Sequence, residues 1–317
     1  MGEPGGLDEA AQTAVGQCLA VGPNESCTIV YDSGTEPIAS ALYAAAGERT
    51  DETVLIEYPV GKTHGSEPPD PVAGALLESD VFLAPTSKSL SHTRARQHTC
   101  DAGARGATLP GITPEVFKTG LDADYDRIAE SCRRLLDQVD GASTISIETD
   151  AGTDLTVEPG GRNWMADTGI VHDAGDFSNL PAGEVFVSPL SADGTLVIDG
   201  TMRPHGLLDE PIEISIADGL VTSISDPSVR ETVETAAEEV GDAAYNVAEL
   251  GIGTNDGVVD LVGSVLLDEK AAGTIHVAIG DDASIGGDVE APIHLDGVVR
   301  NPRLLADGTP IELPRPR

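Results

Sequence analysis

The sequence predicts an α/β protein: an N-terminal α/β domain on a parallel sheet, then a mainly antiparallel β (α+β) domain. Three observations carry this. Strand-like and helix-like segments alternate through the first part of the chain, which implies a parallel sheet covered by helices. Near Gly141 the pattern changes to short alternating strands joined by tight turns. At 317 residues the chain is long enough for two domains of ordinary size. The expected domains are 1–140 (α/β) and 141–317 (metal-binding and catalytic).

The elements follow in order. Cys27–Tyr31 is a β-rich run, and Asp32-Ser33-Gly34-Thr35 is a turn and helix cap. Glu36 to Ala46 is alanine-rich and helical, with Pro37 tolerated in the first turn. Thr53–Tyr58 is a strand, Pro71–Leu77 a helix, and Val81–Ala84 a third strand. Ser91–Gly103 reads as helical, Arg105–Pro110 as a fourth strand, and Tyr125–Val139 as an amphipathic helix closing the domain. Ser143 to Val157 alternates, turns at Asp150-Ala151-Gly152 and alternates again, which is a β-hairpin signature. Short strands are expected at Glu184–Val187, Gly194–Ile198, Ile212–Ile216 and Gly219–Ser223. One helix, Ser228–Val240, interrupts them and stops at Gly241.

The chain is extremely acidic, with 54 Asp and Glu against 18 Lys and Arg, a net charge of −36. The acidic residues are spread along the whole length. That distribution fits a salt-adapted (halophilic) surface, since multimolar salt screens self-repulsion over roughly 3 Å. No basic patch is present to neutralise phosphates, so nucleic acid is excluded as a partner. No apolar stretch is long enough to span a membrane. The acidic start, Met1-Gly2-Glu3-Pro4, lacks the apolar core of a signal peptide, so a cytoplasmic protein is expected. The four cysteines form no Cys-x-x-Cys pair and read as reduced thiols.

Five residues of the second half are candidate metal ligands: Glu184, Glu249, His276, His294 and Asp296. His294-Leu295-Asp296 follows Pro292-Ile293 as a strand, which turns the imidazole and the carboxylate to one side. His276 sits between Ile275 and Val277. A strand histidine there is ordinarily a core residue, but the second one beside Asp296 shifts the reading towards a ligand. Glu184 follows a Pro-Ala-Gly turn at the start of an apolar strand, where an exposed strand-edge glutamate is the plain alternative. Glu249 precedes Gly251-Ile252-Gly253, read as a turn that lets backbone approach a ligand. The strand–turn–helix context of a dinucleotide site is missing. Three carboxylates and two imidazoles suit a two-metal hydrolase, in which a bridging hydroxide is the nucleophile. Glu269 is a candidate general base, weighed against a solvated loop glutamate.

The strings Pro181–Phe186, Glu249–Asn255, Asp268-Glu269-Lys270…Gly273–His276 and His294-Leu295-Asp296, in this order, resemble the thermophilic metalloprotease family of metallo-aminopeptidases, the aminopeptidase T group. Ser89–Arg96 and Gly106–Phe117 fit as well. The resemblance implies a two-domain homodimeric peptidase with two divalent ions (zinc, cobalt or manganese) on Glu184, Glu249, His276, His294 and Asp296. Its substrates are peptides. Two departures stand out. Gly280-Asp281-Asp282-Ala283-Ser284 occupies the stretch where that family carries a tyrosine, and only 17 residues separate His276 from His294. The same superfamily includes dihydroxypyridine-cleaving dioxygenases. There His276, His294 and Asp296 would hold a single Fe(II), with Glu184 and Glu249 behind them. A metal-binding homologue without peptidase activity is the third alternative.

Overall fold

The structure is a computed structural model that describes residues 6–317. Cα packing groups the chain into two units. One runs to Ala129 and adds 167–182; the other takes 130–166 and 183–317. This differs from a single division at 140. The helix Tyr125–Val139 contributes residues to both units. The segment 167–182 joins the first because its strand Phe177–Asn179 pairs with Arg105–Pro110.

The first unit holds a five-stranded sheet. Its order is Thr53–Glu57, Cys27–Tyr31, Val81–Thr86, Arg105–Pro110, Phe177–Asn179, with every pair parallel. Val81–Thr86 is buried throughout, as a central strand with both faces covered must be. Val30, Val72, Leu76, Phe82 and Leu90 pack together on this sheet. The predicted strands and helices of this unit are present. The helix expected from Ser91 starts only at Arg94, because the Thr93 hydroxyl caps it by accepting the Arg96 N–H. The three-residue strand Phe177–Asn179 is too short and too remote in sequence to show a period.

The second unit holds two seven-stranded sheets. One runs Leu220–Ile224, Ile212–Ala217, Ser191–Ile198, Asp154–Glu158, Ile145–Glu148, Arg303–Ala306, Thr309–Pro310, all antiparallel. It includes the expected hairpin, with Ile145 opposite Val157. The other runs Gly206–Leu207, Thr201–Met202, His294–Val299, Ile275–Gly280, Val247–Gly253, Glu184–Val187, Met165–Asp167. Its two central strands, Val247–Gly253 and Ile275–Gly280, are buried at every position. The helix Pro227–Val240 is capped by the Asp226 carboxylate.

Cys18, Cys27, Cys100 and Cys132 are buried, and none of them forms a disulfide. Among the described residues no helix is long and apolar enough to cross a membrane.

Candidate metal centre

Four adjacent antiparallel strands of the last sheet bring the five candidate ligands to one face. Glu184 opens its strand after Gly183, whose φ of 126° is open only to glycine. Glu184 lies opposite Gly253, His276 opposite Gly251, and His294 opposite Gly280. Ala278 lies between Glu249 and Asp296 on one rung. Small residues therefore stand opposite the ligands. Gly251 is not part of a turn, as its sequence suggested, but sits inside the strand Val247–Gly253. A Cβ there would fall inside the His276 ring. The Gly-x-Gly string clears space for an imidazole on the neighbouring strand.

Each imidazole is oriented by a backbone carbonyl. His276 Nδ1 donates to Glu269 O at 3.2 Å, and His294 Nδ1 donates to Asp281 O at 2.7 Å. A carbonyl only accepts, so Nδ1 carries a proton and Nε2 turns to the carboxylates. His276 Nε2 lies 3.1 Å from Glu249 Oε1 and 3.4 Å from Glu184 Oε2. His294 Nε2 lies 3.3 Å from Glu249 Oε2 and 3.3 Å from Asp296 Oδ1. The ligand atoms form two groups, Glu184–Glu249–His276 and Glu249–His294–Asp296, and Glu249 belongs to both. The strand reading that placed His294 and Asp296 side by side holds.

Lys270 completes the cluster and was not singled out by the sequence. Its buried ammonium donates to Glu184 Oε1 at 2.5 Å and to Glu269 Oε1 at 2.7 Å. The chain holds only four lysines, and the placing of one directly after a motif glutamate is the signal that would have found it. Asn255 anchors it, donating from its backbone N to Lys270 O. Glu269 is not a solvated loop residue. It caps the short helix Val265–Asp268, and its carboxylate is buried against Lys270.

Burial and charge set the proton affinities of the metal-free cluster. Burial lifts the Glu184 carboxyl to about 7, although Lys270 and His276 pull the other way. Burial also lifts Glu269, against Lys270. For Glu249 burial is outweighed by the hydrogen bonds of His276 and His294, which hold it at about 2. Asp296 is likewise held far below the usual carboxylate range by His294 despite its burial. The imidazoles respond in kind. Burial lowers both, but Glu249 and Glu184 raise His276 to about 9, and Asp296 and Glu249 raise His294 to about 12.

The donor set fits a divalent cation. Glu184 Oε2 is buried with no hydrogen-bond partner, although it faces the Nε2 edge of His276. Such an orphaned acceptor costs free energy unless a cation or proton meets it. Imidazole nitrogens beside carboxylates are the ligands that iron, zinc, cobalt and manganese take.

An α/β unit with a parallel sheet, joined to antiparallel sheets that carry a histidine–carboxylate centre, defines a class of metal-dependent enzymes. Within it, the chain belongs to the family described as NicX, 2,5-dihydroxypyridine 5,6-dioxygenase, whose model matches residues 17–312. The fold is that of the 2,5-dihydroxypyridine dioxygenase from Pseudomonas putida KT2440. That structure aligns with a TM-score of 0.76 and 20% identity over 97% of this chain and 95% of that one. Wild-type AmpT from Thermus thermophilus aligns with a TM-score of 0.68 and 15% identity, over 97% of each chain. No curated protein matches the sequence. The likeness to the aminopeptidase group thus holds for the fold, while the family the sequence matches is the dioxygenase one.

Proposed function

We propose that the protein is a ring-opening dioxygenase for a dihydroxylated pyridine, with one ferrous ion held by His276, His294 and Asp296. Family membership over residues 17–312 supports the reaction class. The observation that carries the site is the pair of imidazoles. Both commit Nδ1–H to a backbone carbonyl and turn Nε2 towards the carboxylates at Glu249 and Asp296. Two histidines and one carboxylate are the donor set of non-haem iron oxygenases. A ferrous ion bound there supplies the electron exchange that lets dioxygen attack an electron-rich ring. In the family's reaction the C5–C6 bond and the O–O bond break, and each carbon takes one oxygen atom. No external reductant is needed.

The chain's own residues contribute orientation and proton handling. Glu249, with one oxygen towards each Nε2, fixes the angle between the two rings. Lys270 holds Glu184 and Glu269 by one oxygen each. Burial raises the proton affinity of Glu269, so its carboxylate can accept a proton from a substrate hydroxyl. His294 is the ligand nearest solvent, its side chain 33% exposed against 1% for His276, so substrate reaches the centre on its side.

A second reading, the dinuclear aminopeptidase, is favoured by one observation: the ligands form two groups that share Glu249. Metal content per chain separates the readings. Protein purified in high salt without chelator is expected to hold about one iron. Close to two zinc, cobalt or manganese ions, with cleavage of aminoacyl-nitroanilides, would favour the peptidase.

A further inference from the structure

The stretch Gly280-Asp281-Asp282-Ala283-Ser284, which departs from the peptidase pattern, contains a charged side chain that the reaction leaves unexplained. Asp282 is 1% exposed. Its Oδ1 accepts from Val289 N at 2.7 Å. Its Oδ2 accepts from Ser188 Oγ at 2.9 Å and from Asn246 Nδ2 at 3.2 Å. The Arg162 guanidinium lies 3.6 Å away and also donates to Ser188 Oγ. Gly287 packs so closely that a Cβ on it would fall on the carboxylate. A buried carboxylate costs several kcal/mol unless such partners surround it. Here it ties one loop to the strands that begin at Glu184 and Val247.

The loop ends at His294. The Asp281 carbonyl and the Asp282 N–H belong to one planar peptide unit. Its carbonyl accepts His294 Nδ1–H at 2.7 Å, and its N–H donates to Val289 O at 3.0 Å. Val289 N is in turn held by the Asp282 carboxylate. Fixing Asp282 therefore fixes the plane on which the His294 ring rests. His276 has a different support. Its carbonyl partner, Glu269 O, sits at the end of a short helix, where Lys270 N bonds back to Leu267 O.

We propose that Asp282 is a positioning residue for the metal ligand His294, acting through the 281–282 peptide. The inference rests on His294 being a ligand, not on which reaction the centre performs. Asp282→Asn turns one acceptor oxygen into a donor that faces donors, and so loosens the loop.

The test follows the Nδ1 protons of both histidine rings by NMR in zinc-loaded and in metal-free protein, together with Zn²⁺ affinity. In Asp282→Asn the His294 proton is expected to exchange about tenfold or more faster, with Zn²⁺ bound about 10- to 100-fold more weakly. The His276 proton, leaning on the helix, stays unchanged. Equal acceleration of both protons, or of neither, overturns the proposal. If Asp282→Asn does not fold, Ser188→Ala removes one donor and is expected to show the same asymmetry at smaller size. If zinc shifts neither ring in the wild type, the ligand reading fails on its own, and the metal-free exchange rates still decide the positioning role.

Discussion

The two imidazoles of the centre share one local chemistry but are built differently. His276 is sealed in the sheet, rests on a helix end and faces Glu184, which Lys270 neutralises. His294 stands at the start of its strand, a third exposed, and rests on a loop closed by buried Asp282. One half of the site is thus fixed by secondary structure and the other by a polar clamp. The first half holds charge away from water; the second opens to it.

Glu249 is the element common to both halves, so its removal is expected to have the largest effect. Glu249→Ala leaves buried His276 and half-exposed His294 without their shared carboxylate. Metal affinity should fall on the order of 10²- to 10³-fold, the equivalent of about 3–4 kcal/mol. Calorimetric titration with Fe²⁺ or Zn²⁺ reads this directly, and retained affinity would mean the two halves are independent.

Lys270→Met probes only the sealed half. It strands Glu184 and Glu269 without their cation, and chemical denaturation of the metal-free protein should show a loss of about 3 kcal/mol. The His294 ring should keep its hydrogen bond to Asp281. Glu269→Gln is gentler still. Glu269 belongs to neither ligand group, so metal content should be unchanged while turnover falls by about 10²-fold, as expected for a lost general base.

The smallest effect is one of pH. In the metal-free protein His276 is raised from 6.5 to about 9 and Glu184 from 4.5 to about 7. Raised groups favour folding while protonated, so His276 stabilises fully below about pH 6.5 and loses its contribution as pH climbs through 9. Glu184 acts in the same direction between 4.5 and about 7. The Tm of metal-free protein should therefore decline from about pH 5 through about pH 9, and on towards 12 as His294 loses its proton, whereas metal-loaded protein, in which a cation replaces those protons, stays flat above about pH 7. A parallel decline in both forms would mean that the ion does not sit on these groups.

Much of this was legible in the chain. The hydrophobic period marked most strands and helices, because the central strands are continuous apolar runs and the outer ones alternate. The alternation of His294 and Asp296 placed both on one face. Asp268-Glu269-Lys270, eight residues before His276 at its start, marked the sealed half, since helix end and strand are local neighbours. Three features were not legible. Gly251 read as a turn because sequence does not show which neighbouring strand needs the space. Lys270 and Asp282 stood in quoted strings without a role of their own, since their burial depends on partners far along the chain, Glu184 for one, Ser188 and Asn246 for the other. The sequence reading put the two-metal aminopeptidase first because two glutamates accompany the histidines and Asp296, and the family match favours the alternative it kept, the dioxygenase.

Ring-opening activity is tested by oxygen uptake of protein reconstituted anaerobically with ferrous iron, after addition of 2,5-dihydroxypyridine. One O2 is expected to be consumed per ring opened, with uptake lost in His294→Ala. No uptake with bound iron, together with hydrolysis of aminoacyl-nitroanilides by zinc- or cobalt-loaded protein, would contradict the dioxygenase reading.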